Sequence, residues 1–307
     1  MDSGTGVTLT FSNIADLMRT TGLPGPQHPL IALVDYNITK PDLNNAGNWF
    51  LLNFYKISFK HTFNGSVKYG PGTYDFKEGG LAFVAPNQLV EMTANIADYQ
   101  GYALYFHPDL LYSYPLAQNL NKYGFFSYAV AEALFLSEKE KAVITSLFQA
   151  IAFELNNNID QFSQDVFVSQ LGLLLDHSNR FYNRQFITRK PINHDLITGM
   201  HNYLAAWNNE GNGLLKGTPS PQEIAEHLNV SQRYLSDMLK SLTGKTTQQH
   251  IHLQLIEKAK ELLATSTLTT AEIAYRLGFE HPQSFNKLFK QKTKTSPALF
   301  RQSFKNS

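Results

Sequence analysis

Glutamine, asparagine and arginine carry donor and acceptor sets that match the edges of base pairs, and lysine or serine can hold phosphates. Two segments near the C-terminus carry these residue types at helical spacing. In the first, the outward positions are Gln232, Arg233, Ser236, Asp237 and Lys240. In the second they are Pro282, Gln283, Asn286, Lys287 and Lys290. The chemistry on offer is recognition of a polyanion that presents hydrogen-bonding edges. Asp237 stands apart, because a carboxylate there would accept from a cytosine amine or orient Arg233. A plain solvated helix face would also be polar, so residue type alone leaves both readings open.

Catalytic chemistry has less to work with. His61 stands alone among the strand-like segments, with His28 upstream and His107 at their end. The one His-x-His, His250 and His252, falls in a helical stretch, where residues two apart point to different faces. There is no Gly-x-Ser-x-Gly elbow and no phosphate-binding loop. The absence of cysteine excludes disulfides and thiolate metal sites and suits a reducing cytosol. No catalytic residue, metal site or cofactor is expected, and the chain does not read as an enzyme.

The polar positions sit in a repeat. SPQEIAEHLNVSQRYLSDMLK (220–240) and TTAEIAYRLGFEHPQSFNKLFK (269–290) share Glu-Ile-Ala, a Leu three residues on, a turn, and a second amphipathic run ending in Lys. Ser220 is a natural N-cap, with Pro221 at the first helical position and Glu223 completing a capping box. Thr269 and Glu272 repeat that arrangement. Ile224, Ala225 and Leu228, then Ile273, Ala274 and Leu277, make the inner face of each short helix. Asn229 and Gly278 can take the left-handed conformation that ends a helix. The following helices bury Leu235, Met238 and Leu239, or Phe285, Leu288 and Phe289. Each copy reads as a helix-turn-helix. Between them, residues 246–264 are apolar at Ile251, Leu255, Ala259 and Leu262-Leu263; as a helix of about 18 residues they make a rod of about 27 Å. Two recognition helices on such a rod would reach successive major grooves, about 34 Å apart.

Around this part the chain changes character. The 307 residues predict two or three domains, and 43% hydrophobic with 17% charged is enough to build full cores. The net charge of +1 hides an imbalance: residues 214–307 carry 13 Lys/Arg against 7 Asp/Glu. Residues 281–307 hold Lys287, Lys290, Lys292, Lys294, Arg301 and Lys305 and no acid. Such asymmetry suggests a polyanion-binding part joined to something else. Neither a signal peptide nor a membrane span is expected, so the protein reads as soluble and cytoplasmic. Residues 30–106 alternate, with aromatic and β-branched residues between Gly/Pro/Asn turns, which predicts a small antiparallel barrel or sandwich. Phe50, Phe54, Tyr55, Phe59, Tyr69, Tyr74, Phe76, Phe83, Tyr99, Tyr102 and Tyr105 make it aromatic, and most of these rings are expected in its core. A helix follows, with Ser137 as N-cap and Glu140 closing a capping box, then a second from about residue 164 to 182.

Residues from about 215 to 304 resemble the AraC/XylS-type DNA-binding domain. The resemblance rests on EIA…L…S…YLSDMLK, the GKTT bend, EKAKELL, and IAYRLGFEHPQSFNKLFK followed by TSPALFR. It implies base-facing roles for Arg233, Ser236, Asp237, Pro282, Gln283, Asn286 and Lys287. The chain departs from the pattern at Lys294, where the family usually has Gly, at Thr247, where Pro is common, and at Leu255, where Arg is frequent. The same family often places a cupin-like effector-binding barrel and dimerising helices ahead of this domain.

The expected fold is therefore α+β: an N-terminal antiparallel β-barrel, cupin-like by resemblance, with accessory helices, then an all-α domain of two helix-turn-helix units on a linker helix. Residues 1–190 are expected to sense an effector and dimerise, 191–213 to link, and 214–307 to bind DNA. The expected function is sequence-specific transcription regulation. Double-stranded DNA is the partner, and a small-molecule effector, RNA polymerase and a second copy of the chain are further candidates; a membrane is not. The alternatives are a small-molecule-binding or enzymatic cupin with an incidental helical tail, and a structural dimer.

Overall fold

The computed structural model describes residues 7–62, 66–69, 72–75, 79–91, 100–129, 132–209 and 212–305. The chain divides into two compact units, Met1–Gln185 and Phe186–Ser307.

The first unit opens with strand β1 (Thr8–Phe11), helix α1 (Ile14–Thr20) and strand β2 (Ile31–Asp35). Strands β3 (Trp49–Leu52), β4 (Tyr55–Thr62), β5 (Ser66–Tyr69), β6 (Gly72–Asp75), β7 (Gly80–Val84), β8 (Leu89–Glu91) and β9 (Gln100–Phe106) follow. Helices α2 (Pro115–Asn119), α3 (Glu138–Asn156) and α4 (Ser163–Thr188) come next. One sheet has the order β1-β3-β8, a second β2-β9-β4-β7, and β5 pairs with β6. The pairings are antiparallel as expected, except that β1 runs parallel to β3. Phe11, Phe50 and Leu52 from the first sheet meet Ala32, Val34, Ala82, Ala103 and Tyr105 from the second in one core, which α1 closes with Ile14, Leu17 and Met18.

The second sheet is covered on its other face as well. Phe59 and Tyr102 stack on Phe148 of α3, at 5.8 and 5.4 Å between ring centroids. Phe83 lies 4.2 Å from Phe125, which stacks on Tyr182 of α4. The expected aromatic set thus splits: Phe50, Phe54 and Tyr105 lie between the sheets, whereas Tyr55, Phe59, Phe83 and Tyr102 lie under the helices. Tyr69 and Tyr74 fall in β5 and β6, and Phe76 and Tyr99 lie outside the described residues. Helix α3 starts where its cap predicts, with Ser137 accepting from the Glu140 amide and Glu140 accepting from that of Ser137. A cleft of about 420 Å³ opens on the helix side, lined by Leu33, Asp35, Tyr102, Gln149 and Phe153 among others.

The second unit is helical: α5 (Lys190–Asn209), α6 (Asn212–Lys216), α7 (Pro221–His227), α8 (Gln232–Thr243), α9 (Thr247–Thr265), α10 (Thr270–Arg276), α11 (Pro282–Thr293) and α12 (Pro297–Lys305). Residues 191–213, expected as a linker, are mostly helix instead. Met200, Leu204 and Trp207 recur at helical spacing on α5 and are buried, and α5 packs on α9. The Asn/Gly punctuation marks only the joint between α5 and α6. Helix α9 buries Ile251, Leu255, Ile256, Ala259, Leu262 and Leu263. Arg301 of α12 donates from Nε to the Leu263 carbonyl (3.2 Å), tying the last helix to this one.

Two family departures have local consequences. Lys294, the C-cap of α11, is left-handed at φ 66°, which costs about 1–2 kcal/mol for a residue with a Cβ. Thr247 sits at the first position of α9, buried, with its hydroxyl lacking a hydrogen-bond partner. Proline suits that position because its missing N–H is one that a helix start leaves unpaired. Lys294→Gly is expected to stabilise the protein by about 0.5–1 kcal/mol, and Thr247→Pro by about 1 kcal/mol. Both would appear as higher midpoints in unfolding followed by circular dichroism.

Candidate nucleic-acid interface

The first helix-turn-helix is α7 and α8. Ser220 Oγ accepts from the Glu223 amide (3.2 Å), and Glu223 Oε2 accepts from the Ser220 amide (2.8 Å). Asn229 turns the chain at φ 55°, and the Val230 amide returns to the Ala225 carbonyl (3.0 Å). Ser231 then caps α8 by accepting from the Tyr234 amide, a cap not singled out in the sequence. Ile224 and Ala225 are buried with Tyr234, Leu235, Met238 and Leu239.

The second unit, α10 and α11, repeats this construction. Thr269 and Glu272 form the capping box, with bonds of 3.1 and 2.6 Å. The bonds from the Thr269 backbone and hydroxyl hold the Glu272 carboxyl below its usual range, so the cap is intact at neutral pH. Gly278 takes φ 88°, and the Phe279 amide returns to the Ala274 carbonyl (2.9 Å). Phe285 and Phe289 are fully buried, with Phe279 and Phe300 packed on them at 5.5 Å.

Burying those faces presents the opposite ones. On α11, Gln283, Asn286, Lys287 and Lys290 are exposed and fall within about 100° of helix arc. Pro282, at the first position of that helix, is half-buried. On α8, Gln232, Arg233 and Lys240 are exposed, and Ser236 and Asp237 are half-buried on the same side. Arg233 donates from Nε to Asp237 Oδ2 (2.8 Å), so the carboxylate orients the guanidinium. The acids of this unit are largely engaged elsewhere. Glu223 and Glu272 close capping boxes, and Glu257 and Glu261 pair with Lys260 and Lys258. Among the described residues, Lys240, Lys287 and Lys290 enter no ion pair, so their charge remains on the outward faces.

A contact that the sequence did not announce holds the second turn. A Cβ on Gly278 would lie 2.3 Å from the Gly217 carbonyl carbon and 2.5 Å from the Thr218 nitrogen. One on Gly213 would lie 2.3 Å from the Arg276 carbonyl oxygen. Gly213 and Gly278 thus let α6 and the loop after it lie directly on the turn, and Gly217 takes the left-handed φ of 82° within that loop. Trp207 fixes that loop by donating from Nε1 to the Gly217 carbonyl (3.2 Å), and Lys216 sits over its ring at 5.6 Å. The signal was a glycine-rich stretch that reads equally well as a flexible joint.

The histidines do not assemble a site. His250 Nε2 lies 2.8 Å from Thr243 Oγ1, whereas His252 Nε2 meets Gln248 at 2.9 Å. Among the described residues no group of three His, Cys, Asp or Glu is placed to hold a metal ion. No helix among them is long and apolar enough to cross a membrane.

Comparison with known proteins addresses both parts of the chain. A helix-turn-helix domain model matches residues 224–303, and an AraC-like ligand-binding domain model matches residues 61–173. Both parts of the chain thus resemble those of AraC-type regulators. Among AraC-type relatives, the transcriptional activator RhaS of Escherichia coli is 37% identical over 79 residues, 26% of this chain and 28% of that protein. The uncharacterised regulator YfiF of Bacillus subtilis is 34% identical over 85 residues, 28% of this chain and 27% of that one. The match thus spans under a third of either relative. The DNA-binding domain of AdpA, solved with a target DNA, is 25% identical over 35% of this chain and 94% of its own, with a TM-score of 0.31.

The brace on the second turn gives a sharp expectation. Gly278→Ala combines a left-handed alanine with a backbone clash and should cost about 2–4 kcal/mol. A drop of that size in denaturant unfolding is expected, whereas alanine at the exposed Ser284 should leave stability unchanged.

Proposed function

We propose that this chain is a sequence-specific DNA-binding transcription regulator of the AraC type, with an N-terminal unit that responds to a small molecule. The observation that carries the proposal is the pair of capped helix-turn-helix units whose outward faces hold Gln, Asn, Arg and Lys. In this reading Gln283, Asn286 and Arg233 meet base edges, Asp237 orients Arg233, and Gln232 and Ser236 complete the first face. Lys240, Lys287 and Lys290 meet phosphates, and Pro282 starts the second recognition helix. Residues 214–307 supply the DNA contacts, with α5 and α6 as their support, and residues 1–190 supply sensing and dimerisation. A DNA-binding regulator works where the DNA is, in the cytoplasm. Because the relative RhaS is a transcriptional activator, RNA polymerase is the accompanying protein partner. No catalytic activity and no cofactor are proposed.

Selection of bound sequences from random duplexes tests the assignment. Gln283→Ala should change the preference at one or two base pairs, each worth about 1–3 kcal/mol of discrimination. Lys290→Ala should weaken all duplexes alike and reduce the salt slope of binding by about 1. An unchanged preference in Gln283→Ala would remove that residue from the base contacts.

A further inference from the structure

The two helix-turn-helix units are joined by more than α9. Helix α5 lies on the first of them: Tyr203 packs on His227 of α7, at 4.8 Å between ring centroids, and Gly199 lies against the Leu228 side chain. One turn further along α5, Trp207 packs 5.7 Å from Tyr203 and donates to the Gly217 carbonyl (3.2 Å). Residues 213–218 then lie on the second unit. Gly213 meets the Arg276 carbonyl and Gly217–Thr218 meet Gly278, so closely that neither Gly213 nor Gly278 has room for a Cβ. The Gly217 amide donates to the Gly213 carbonyl (3.1 Å), which closes the segment on itself. Only Pro219 separates Thr218 from Ser220, the N-cap of α7.

The first unit is thus tied to the turn of the second by a route that bypasses the rod. A cleft of about 390 Å³ is lined by Lys216, Gly217 and Thr218 together with Gln248, His252 and Leu255 of α9, so the segment stands off from the rod there. Packing on α9 sets where each recognition helix sits along the rod. An attachment away from the rod's axis acts on a longer lever arm and resists rotation of one unit about that axis. Rotation matters on DNA, because each base pair added between two half-sites shifts them apart by about 3.4 Å and turns them by about 35°. Two helices free to twist can follow such a change, whereas two helices held at a second point cannot.

We propose that residues 213–218, held by Trp207, set the half-site spacing that this chain accepts. They fix the twist between the two recognition helices, so that duplexes with half-sites one base pair too near or too far are rejected. Trp207 and Gly213 are positioning residues, and neither is assigned a contact with DNA. The proposal rests on the DNA-binding reading above and deepens it by adding a geometric selectivity to the base contacts.

Affinity of the full chain for duplexes that keep both selected half-sites and differ only in the number of base pairs between them tests this. The wild-type chain is expected to prefer one spacing over its one-base-pair neighbours by roughly tenfold or more. Gly213→Ala places a methyl group against the Arg276 carbonyl and lifts the segment, and Trp207→Phe keeps a ring under Lys216 but removes the N–H donor. Each should lower the spacing preference to about threefold or less while leaving the base preference within both half-sites unchanged. Leu215→Ala, on the same segment but 83% exposed, should keep the wild-type preference. Circular dichroism checks that the variants fold. An unchanged spacing preference in folded Gly213→Ala and Trp207→Phe, or an equal loss of affinity at every spacing, overturns the proposal. Wild-type binding that is sequence-specific but tolerates every spacing overturns it too and leaves the regulator reading standing. Absence of sequence-specific binding by the wild-type chain removes both.

Discussion

Both recognition helices depend on one buried seam along α9. Ile251, Leu255, Ile256, Ala259, Leu262 and Leu263 remove one side of that helix from water, and α7, α8, α10, α11 and α12 all pack against it. Each leucine or isoleucine there contributes about 1.5–3 kcal/mol on burial, more than the few tenths contributed by an exposed ion pair such as Lys258–Glu261. The seam therefore decides where the two outward faces point. At 19 residues, α9 is about 28 Å long, a length suited to successive major grooves.

Much of this was legible because the local rules and the fold agree. Ser220, Thr269 and Ser137 with their glutamates mark helix starts, and Asn229 and Gly278 take positive φ, all as chain-local chemistry requires. The buried sets on α8 and α11 follow helical spacing, so the outward residues could be named by elimination. The brace from α6 was not legible. Its contacts join residues about 60 apart in sequence, and glycine gives the same local signal for a flexible joint as for close backbone approach. The same Asn/Gly stretch made α5 read as a linker, although Met200, Leu204 and Trp207 already carried its period.

The N-terminal unit shows a different limit. Alternation on β4 divides its residues into two faces correctly, yet the usual rule, apolar inward and polar to water, would send Lys56, Ser58 and Lys60 outward. That rule assumes one wet face. Here α3 and α4 cover the aromatic side, through Phe148 and Tyr182, so the lysine-bearing side lies between the sheets. Which face is enclosed depends on helices that begin more than 70 residues downstream, and no window on β4 contains that information. Enclosing a polar stripe costs stability that an apolar stripe would not.

Placing two recognition helices on one rigid helix makes a geometric claim about the DNA. Footprinting of the full chain on a duplex chosen by selection tests it most directly. The account predicts two protected major-groove segments on one face of the duplex, about 34 Å apart for each bound chain. Gly278→Ala should lose one segment and keep the other. A single protected segment in the wild-type chain, or protection with no fixed spacing, would contradict it.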